Sequence, residues 1–472
     1  MQKTNRSILI ALVLFFSTII FAQDDSISNN IEITIKDFPA RKALLCYYYG
    51  NQTFLLDSIV VDSLTGFMHF KSRKNLPIGM FFIATYDARL LDFIISDEKN
   101  IVIKTSYKNL YNDALVESKE NEVFFTYMSI TNKATIQAED IKSMTEMLKH
   151  AKKDKSVFAE QDNKIRQVYK NLDSTSRALI NTHPSLFVTR LLKAYQPIDM
   201  PLDIKPYTAD KRFNALYGYY YRQHFWDNFD FSDARYLHAP FYTTKIDEYL
   251  QNTIPKHPDS LNTYIDIFLA RTKATPEYYK YSLHYITQLC EDNLKDAFSE
   301  NMLIHLVDAY HHDTISGTNK YTLERLDYKA NTFRTNLIGL KAPTFSLPDS
   351  TGRYRSFEEF NSDFTLLIFY SSQCTHCQVQ IPQFRDALQF TNATKIKTLA
   401  VCTDGIRETW LPFIQKNKSD WVNVLDKQTN SEVQKNYAAF NLPVVYLLDK
   451  QKKIIAKYLT VDGLKKILEQ IH

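Results

Sequence analysis

The sequence predicts a multidomain protein: an N-terminal all-β, sandwich-like domain over 30–115, an α-helical middle domain over 120–315, and a C-terminal α/β domain over 339–472. Three observations carry this reading. Short apolar runs separated by turn residues fill 30–110. From 120 to 334 glycine is reduced to Gly218 and Gly317, and helical periodicity takes over. Near the C-terminus an apolar run at 366–370 leads into Cys374-Thr375-His376-Cys377 and then a helical stretch at 378–390. A chain of 472 residues holds two or three domains, and a hydrophobic content of 44% against 23% charged residues leaves ample material for their cores.

Residues 1–22 read as a signal peptide, with Lys3 and Arg6 as its basic start, 8–21 as its apolar core and a cut after Ala22. The apolar run is short for a transmembrane helix, no cysteine near Ala22 offers a lipid anchor, and no later stretch is long and apolar enough to hold a membrane. An exported mature protein is therefore expected. Its formal charge falls from +4 to +2 once Lys3 and Arg6 are gone, leaving 55 basic against 53 acidic residues. That balance gives no electrostatic case for nucleic acid. The basic cluster Lys152, Lys153 and Lys155 reads as a solvated helix face.

In the first domain the apolar runs include 31–35, 43–49, 67–70, 80–85, 90–95 and 101–103, with turn chemistry such as Gly50-Asn51 and Thr65-Gly66 between them. Its titratable residues are scattered, so it reads as a packing or recognition module. Candidate helices follow at 135–153, 156–171, 174–181, 184–195, 211–221, 243–252, 260–272, 277–290 and 299–311, with Pro184, Pro240, Pro258 and Pro276 at their borders. The aromatic segment 217–231 is expected in a core, as befits a chain with 30 tyrosines and 31 phenylalanines. Residues 316–338, polar and poor in apolar pairs, read as a linker.

The Cys374-Thr375-His376-Cys377 motif carries the chemistry. A strand–motif–helix order places the first thiol at a helix N-terminus, where free N–H groups and the macrodipole favour a thiolate. The two-residue spacer lets both sulfurs meet and cycle between dithiol and disulfide. The same spacing could supply half of a structural zinc site. However, Cys46, Cys290 and Cys402 stand alone in sequence, His311 and His312 are adjacent and point apart, and His305 and His312 would lie about 10 Å apart along a helix. Five cysteines also argue against a disulfide framework, and the three outside the motif read as buried hydrophobes.

From Gly339 onward the chain resembles the redoxin branch of thioredoxin-like proteins, of the TlpA/ResA type. Lys341-Ala342-Pro343-Thr344-Phe345 through Asp349, the strand 366–370, Pro382 five residues after the second cysteine, and Asn441-Leu442-Pro443-Val444 through Asp449 carry the resemblance in the family's order. It implies a thioredoxin-like fold with Pro443 as a cis-proline facing the cysteines. A weaker resemblance, at 117–121 and 224–230, links the whole chain to multidomain thioredoxin-like proteins of Gram-negative bacteria and implies a periplasmic location.

These readings together predict a thiol-disulfide oxidoreductase without metal or organic cofactor. Cys374 attacks a protein disulfide and Cys377 resolves the mixed disulfide, with Thr375, His376, Leu442 and Pro443 tuning the site and Leu442 offering its backbone to a substrate strand. The family resemblance favours a reductase fed by a membrane thiol donor. His376 before the second cysteine resembles oxidising and isomerising members, since an imidazolium stabilises the thiolate and raises the potential. A cell-envelope binding protein with an accessory redox domain is a further alternative. Gln373 stands where tryptophan is usual, and Ile368 and Gln380 stand where relatives place carboxylates that move protons. Those departures argue against a dedicated cytochrome c role, and Ser371-Ser372-Gln373 lacks the peroxidase motif.

Overall fold

A computed structural model describes residues 28–150, 155–201, 211–255, 258–294, 297–390, 395–428 and 430–471. The signal-peptide reading of 1–22, and Lys152 and Lys153 of the basic cluster, lie outside the described residues. Two compact units divide the chain, Met1–Ile254 and Pro255–His472, so the boundary falls inside the stretch read as one helical domain. Among the described residues no helix is long and apolar enough to cross a membrane.

The first unit opens with β1 (Asn29–Lys36), β2 (Lys42–Tyr49), β3 (Gln52–Val60), β4 (Phe67–Ser72), β5 (Gly79–Ala84), β6 (Arg89–Ile95), β7 (Asn100–Ser106) and β8 (Leu115–Glu117). They form two four-stranded sheets, ordered β4-β1-β7-β8 and β3-β2-β5-β6. Only the β1–β7 pair is parallel. Ile31, Ile33 and Ile35 alternate into the core with the period of two that a half-buried strand requires.

Helices follow: α1 (Lys119–His150), α2 (Lys155–Thr182), α3 (Phe187–Tyr195), α4 (Lys211–His224) and α5 (Phe241–Glu248). The two expected helices at 156–171 and 174–181 are one, because nothing between them breaks a helix. The start of α1 ties sheet to helices. The Asn121 amide accepts from Ile94 N–H (2.7 Å) and donates to Ile94 C=O (2.8 Å), continuing the edge of β6. The Glu120 carboxylate accepts from Phe187 and Val188 N–H (2.8 Å each), an anion at the N-terminus of α3. Phe225, Trp226 and Phe229 of the aromatic segment are buried.

The second unit begins with α6 (Pro258–Thr272), α7 (Pro276–Asp292), α8 (Ala297–Leu306) and α9 (Lys320–Arg334). The last of these corrects the linker expected at 316–338. Asn319 caps it by accepting from Thr322 N–H (2.9 Å), and Leu326, Ala330 and Phe333 form a buried stripe one residue wide per turn. A stripe so narrow inside a polar segment is easily read as no stripe at all.

The rest of this unit is α/β: β9 (Leu347–Pro348), β10 (Tyr354–Arg355), β11 (Phe364–Tyr370), α10 (Thr375–Phe390), β12 (Ile396–Cys402), α11 (Arg407–Asn417), β13 (Val422–Leu425), α12 (Glu432–Asn436), β14 (Val444–Leu448), β15 (Ile454–Lys457) and α13 (Val461–Ile471). The central sheet runs β13-β12-β11-β14-β15, with β12 parallel to β11 and to β13, β14 antiparallel to β11 and β15 antiparallel to β14. This is a thioredoxin-like arrangement. β11 is buried on both faces. Leu366, Ile368 and Tyr370 join one core with Cys377, Phe384 and Leu464, and Leu367 and Phe369 join the other with Tyr437 and Tyr446. A strand covered on both faces reads as a continuous apolar run, which is why 366–370 was legible.

Candidate active site

Cys374 ends the loop after β11 and caps α10. Its C=O accepts from Gln378 N–H (3.0 Å), the first intrahelical bond, and its sulfur accepts from Cys377 N–H (3.4 Å), as an N-cap side chain does. The Cys374 sulfur therefore lies on an N–H with no helical acceptor, at the positive end of a helix, an arrangement that favours a thiolate over a thiol. Cys374 is partly exposed, whereas Cys377 is fully buried. Burial, and then the neighbouring Cys374, push the Cys377 thiol up to about 12. The pair is thus asymmetric. One sulfur can meet a partner, and the other is held protonated one turn inside. All five cysteines are free thiols, with Cys46, Cys290 and Cys402 buried.

The other residues singled out from sequence fall around this pair. Leu442–Pro443 is a cis peptide bond, and the Cys374 thiol faces the Leu442 C=O at 3.8 Å. Thr375 and His376 are exposed on the first turn of α10. Pro382 lies inside α10, where it leaves the Gln378 C=O without a helical donor. The Gln378 side chain reaches back to Ser372 C=O (3.0 Å) and braces the loop before Cys374. Ile368 is buried and apolar, and Gln380 lines a cleft beside the cis-proline.

Sequence reasoning missed Asp404. Tyr370 pairs with Cys402 at the ends of parallel strands β11 and β12, so the turn after β12 lies beside the loop after β11. Asp404 accepts there from Ser372 N–H (2.7 Å), Ser372 Oγ (2.6 Å), Ser371 Oγ (3.1 Å), the Cys402 thiol (3.2 Å) and Ile406 N–H (3.2 Å). Partial burial acts to raise its pKa, but the bonds from Ser372 and Cys402 prevail and hold the carboxyl below its usual range. The Cys402 thiol is in turn pushed up to about 12 by burial and by the Asp404 charge. Gly405, at φ +72°, makes the turn, and a Cβ there would meet Lys427 C=O at 3.0 Å. The signal available in sequence was an Asp-Gly pair closing an apolar strand, at the carboxyl ends of strands where α/β folds place their sites.

A second polar cluster holds the helical segment to the sheet. Lys457, at the end of β15, donates to Glu300 of α8 (2.6 Å) and to Asn336 C=O (3.2 Å), with both charged side chains buried. Tyr458 hydroxyl also bonds Glu300. The Asn336 and Thr335 side chains donate to Asn436 C=O (2.9 and 3.0 Å).

The histidines weighed as metal ligands are engaged separately, His305 with Asp266 (2.6 Å) and His312 with Asp327 (3.0 Å). Among the described residues no group of three or more histidine, cysteine, aspartate or glutamate side chains is placed to hold a metal ion.

Residues 338–457 match the AhpC/TSA family. The thiol-disulfide oxidoreductase ResA of Bacillus thuringiensis subsp. konkukian is 24% identical over 118 residues, which are 25% of this chain and 67% of that protein. Among solved structures, a thioredoxin-like protein from Bacteroides caccae is 23% identical with a TM-score of 0.48, over 58% of this chain and 97% of its own. A domain of a possible thiol-disulfide isomerase from Cytophaga hutchinsonii is 36% identical with a TM-score of 0.27, over 29% of this chain and 92% of its own. The C-terminal domain of this chain is a redoxin domain of the AhpC/TSA family, of the TlpA/ResA type, and belongs to the thiol-disulfide oxidoreductases.

Proposed function

We propose that the protein is an exported, periplasmic thiol-disulfide oxidoreductase that reduces disulfides of protein substrates through Cys374 and Cys377. The observation that carries this is the asymmetry of the two sulfurs: one capping a helix and partly exposed, the other buried with its thiol pushed up to about 12. The Cys374 thiolate attacks a substrate disulfide, the substrate S–S bond breaks, and a mixed disulfide forms as one substrate thiolate leaves. Cys377 then loses its proton and attacks the Cys374 sulfur. The Cys374–Cys377 disulfide forms and the second substrate thiolate departs, so two electrons reach the substrate, whose thiolates take their protons from water. A dithiol donor, expected to be a membrane thiol protein, restores the reduced pair. Thr375, His376, Leu442 and Pro443 surround the reacting sulfurs and tune them.

The reductase direction is supported by what surrounds Cys374. The Asp404 charge behind the loop opposes a thiolate, and His376 is exposed, where water screens its charge. Both act against the strong thiolate stabilisation that makes an oxidant. The runner-up, an isomerase or oxidant governed by His376, rests on that residue's place in the first turn of α10. Export rests on the signal-peptide pattern of residues 1–22.

The test is the reduction potential of the pair in the mature protein, by thiol trapping in defined redox buffers. A value near about −270 mV is expected, and one between about −180 and −120 mV would assign the oxidising role instead. Cys374→Ser should abolish disulfide exchange. If a partner complex and phenotype survive that substitution unchanged, the chain is a binding protein with an accessory redox domain.

A further inference from the structure

We propose that α9 is the specificity wall of the redox site, and that it selects polypeptide disulfides flanked by an acidic residue and an aromatic or large apolar one. This rests on the thiol-disulfide reading above and names its substrate class.

A cleft of about 620 Å³ lies directly beside the cis-proline. His376, Leu442 and Pro443 line one side, and α9 supplies much of the other through Arg325, Tyr328 and Lys329. These α9 positions fall at i, i+3 and i+4, one face of the helix, while Leu326 and Ala330 turn into the core and the mostly buried Phe333 borders the cleft. The wall is fixed in place, because the buried Lys457–Glu300 pair and the Asn336 bonds to Asn436 clamp the segment around α9 to the sheet. A substrate reaching Cys374 along the cis-proline loop therefore passes this helix.

The chemistry of the wall decides what fits. Arg325 and Lys329 both hold Glu291, whose side chain is only 9% exposed, while their own are 39% and 32% exposed. Two cations share one carboxylate, and among the described residues no aspartate or glutamate lines the cleft, which leaves a net positive charge from these side chains facing the substrate. Tyr328 and Phe440, 54% and 44% exposed, present aromatic surface to the same space. The Leu442 N–H makes no hydrogen bond within the described residues, which leaves a backbone donor for an extended chain. An extended polypeptide with one carboxylate side chain and one aromatic side chain satisfies all three features. A short cationic segment meets repulsion.

The experiment uses the full mature chain and a set of disulfide-bonded peptides that differ only in the residue flanking the target cysteine, glutamate against glutamine against lysine. The wild-type protein should show a kcat/KM for the glutamate peptide about two- to five-fold above that for glutamine, the range of a partly exposed ion pair. The preference should fade in about 1 M salt. Arg325→Gln should erase it. Glu291→Gln, which releases both cations to the cleft, should enlarge it, so a variant that merely loosened the fold is told apart by sign. Equal rates for glutamate and lysine peptides, or a preference that persists in Arg325→Gln, would overturn the proposal. A wild-type protein that reduces neither these peptides nor a small aromatic disulfide would overturn the redox reading itself, and this inference with it.

Discussion

Glu300, fully buried, and Asp404, half-buried, are carboxylates of one unit that do different work because of what faces them. Glu300 meets an ammonium, Lys457, and a tyrosine hydroxyl, and the cluster joins a helical segment to a sheet edge. Among the described residues Asp404 meets no cation at hydrogen-bonding distance. Its donors are hydroxyls, backbone N–H groups and a thiol, and the loop it holds leads directly to Cys374. A paired charge of the first kind fixes position, since its field is largely cancelled. An unpaired one of the second kind keeps its field and lays it on the sulfurs nearby. The lesson is that the partner, together with the burial, separates a structural carboxylate from one that acts on reactivity.

Four experiments would break or sharpen that contrast. The largest effect should come from Lys457→Met, which removes the ammonium from the buried Glu300 and should cost about 3–5 kcal/mol in denaturant unfolding. Adding Glu300→Gln should recover much of that loss, as expected when an uncompensated charge and not lost packing is the cause. A recovery of nothing would make the contact itself the stabilising element.

The pH profile of the second thiol comes next. Burial, the larger cause of the raised Cys377 pKa of about 12, persists in the mixed disulfide. Release of substrate from a trapped Cys374 mixed disulfide should therefore accelerate about tenfold per pH unit between pH 6 and 8, because only the thiolate attacks. A flat profile would mean that a base near Cys377 takes the proton.

Asp404→Asn should destabilise the reduced protein by about 1.5–3 kcal/mol through weaker bonds to Ser372 and Ser371. It should also raise the reduction potential by about 20 mV, the equivalent of about 1 kcal/mol of repulsion relieved at the thiolate. Stability lost with no change in potential would reduce Asp404 to the role of Glu300. The smallest effect belongs to His376→Ala, which should lower the potential by about 10 mV or less, since an exposed imidazole is screened. A drop several times larger would hand control of direction to His376.

The legible parts of the fold are those where a local pattern meets a local cause. Ile31, Ile33 and Ile35 announce a half-buried strand by alternation, and 366–370 announces a doubly covered one by its unbroken apolar run. The thiol pair was legible because four consecutive residues between strand and helix place two sulfurs within one helical turn. α9 was missed because three core residues in a polar helix make a faint period, and the unit boundary at Ile254 because helices continue across it. Asp404 was missed because its neighbours Ser371 and Ser372 are about thirty residues away in sequence and only strand pairing brings them together.

What the sequence by itself determined is therefore the chemistry and its local geometry: a Cys-x-x-Cys pair at a helix start and a fold class for each region, while the proline loop that faces the pair was implied by the family resemblance. Those follow from short-range periodicity and from motifs whose parts are covalent neighbours. Only the tertiary structure decided which carboxylate touches the active-site loop and that α9 stands over the cis-proline. These depend on parallel strand pairing and on a buried ion pair spanning more than a hundred residues, and a contact of that range leaves no periodic trace in the chain.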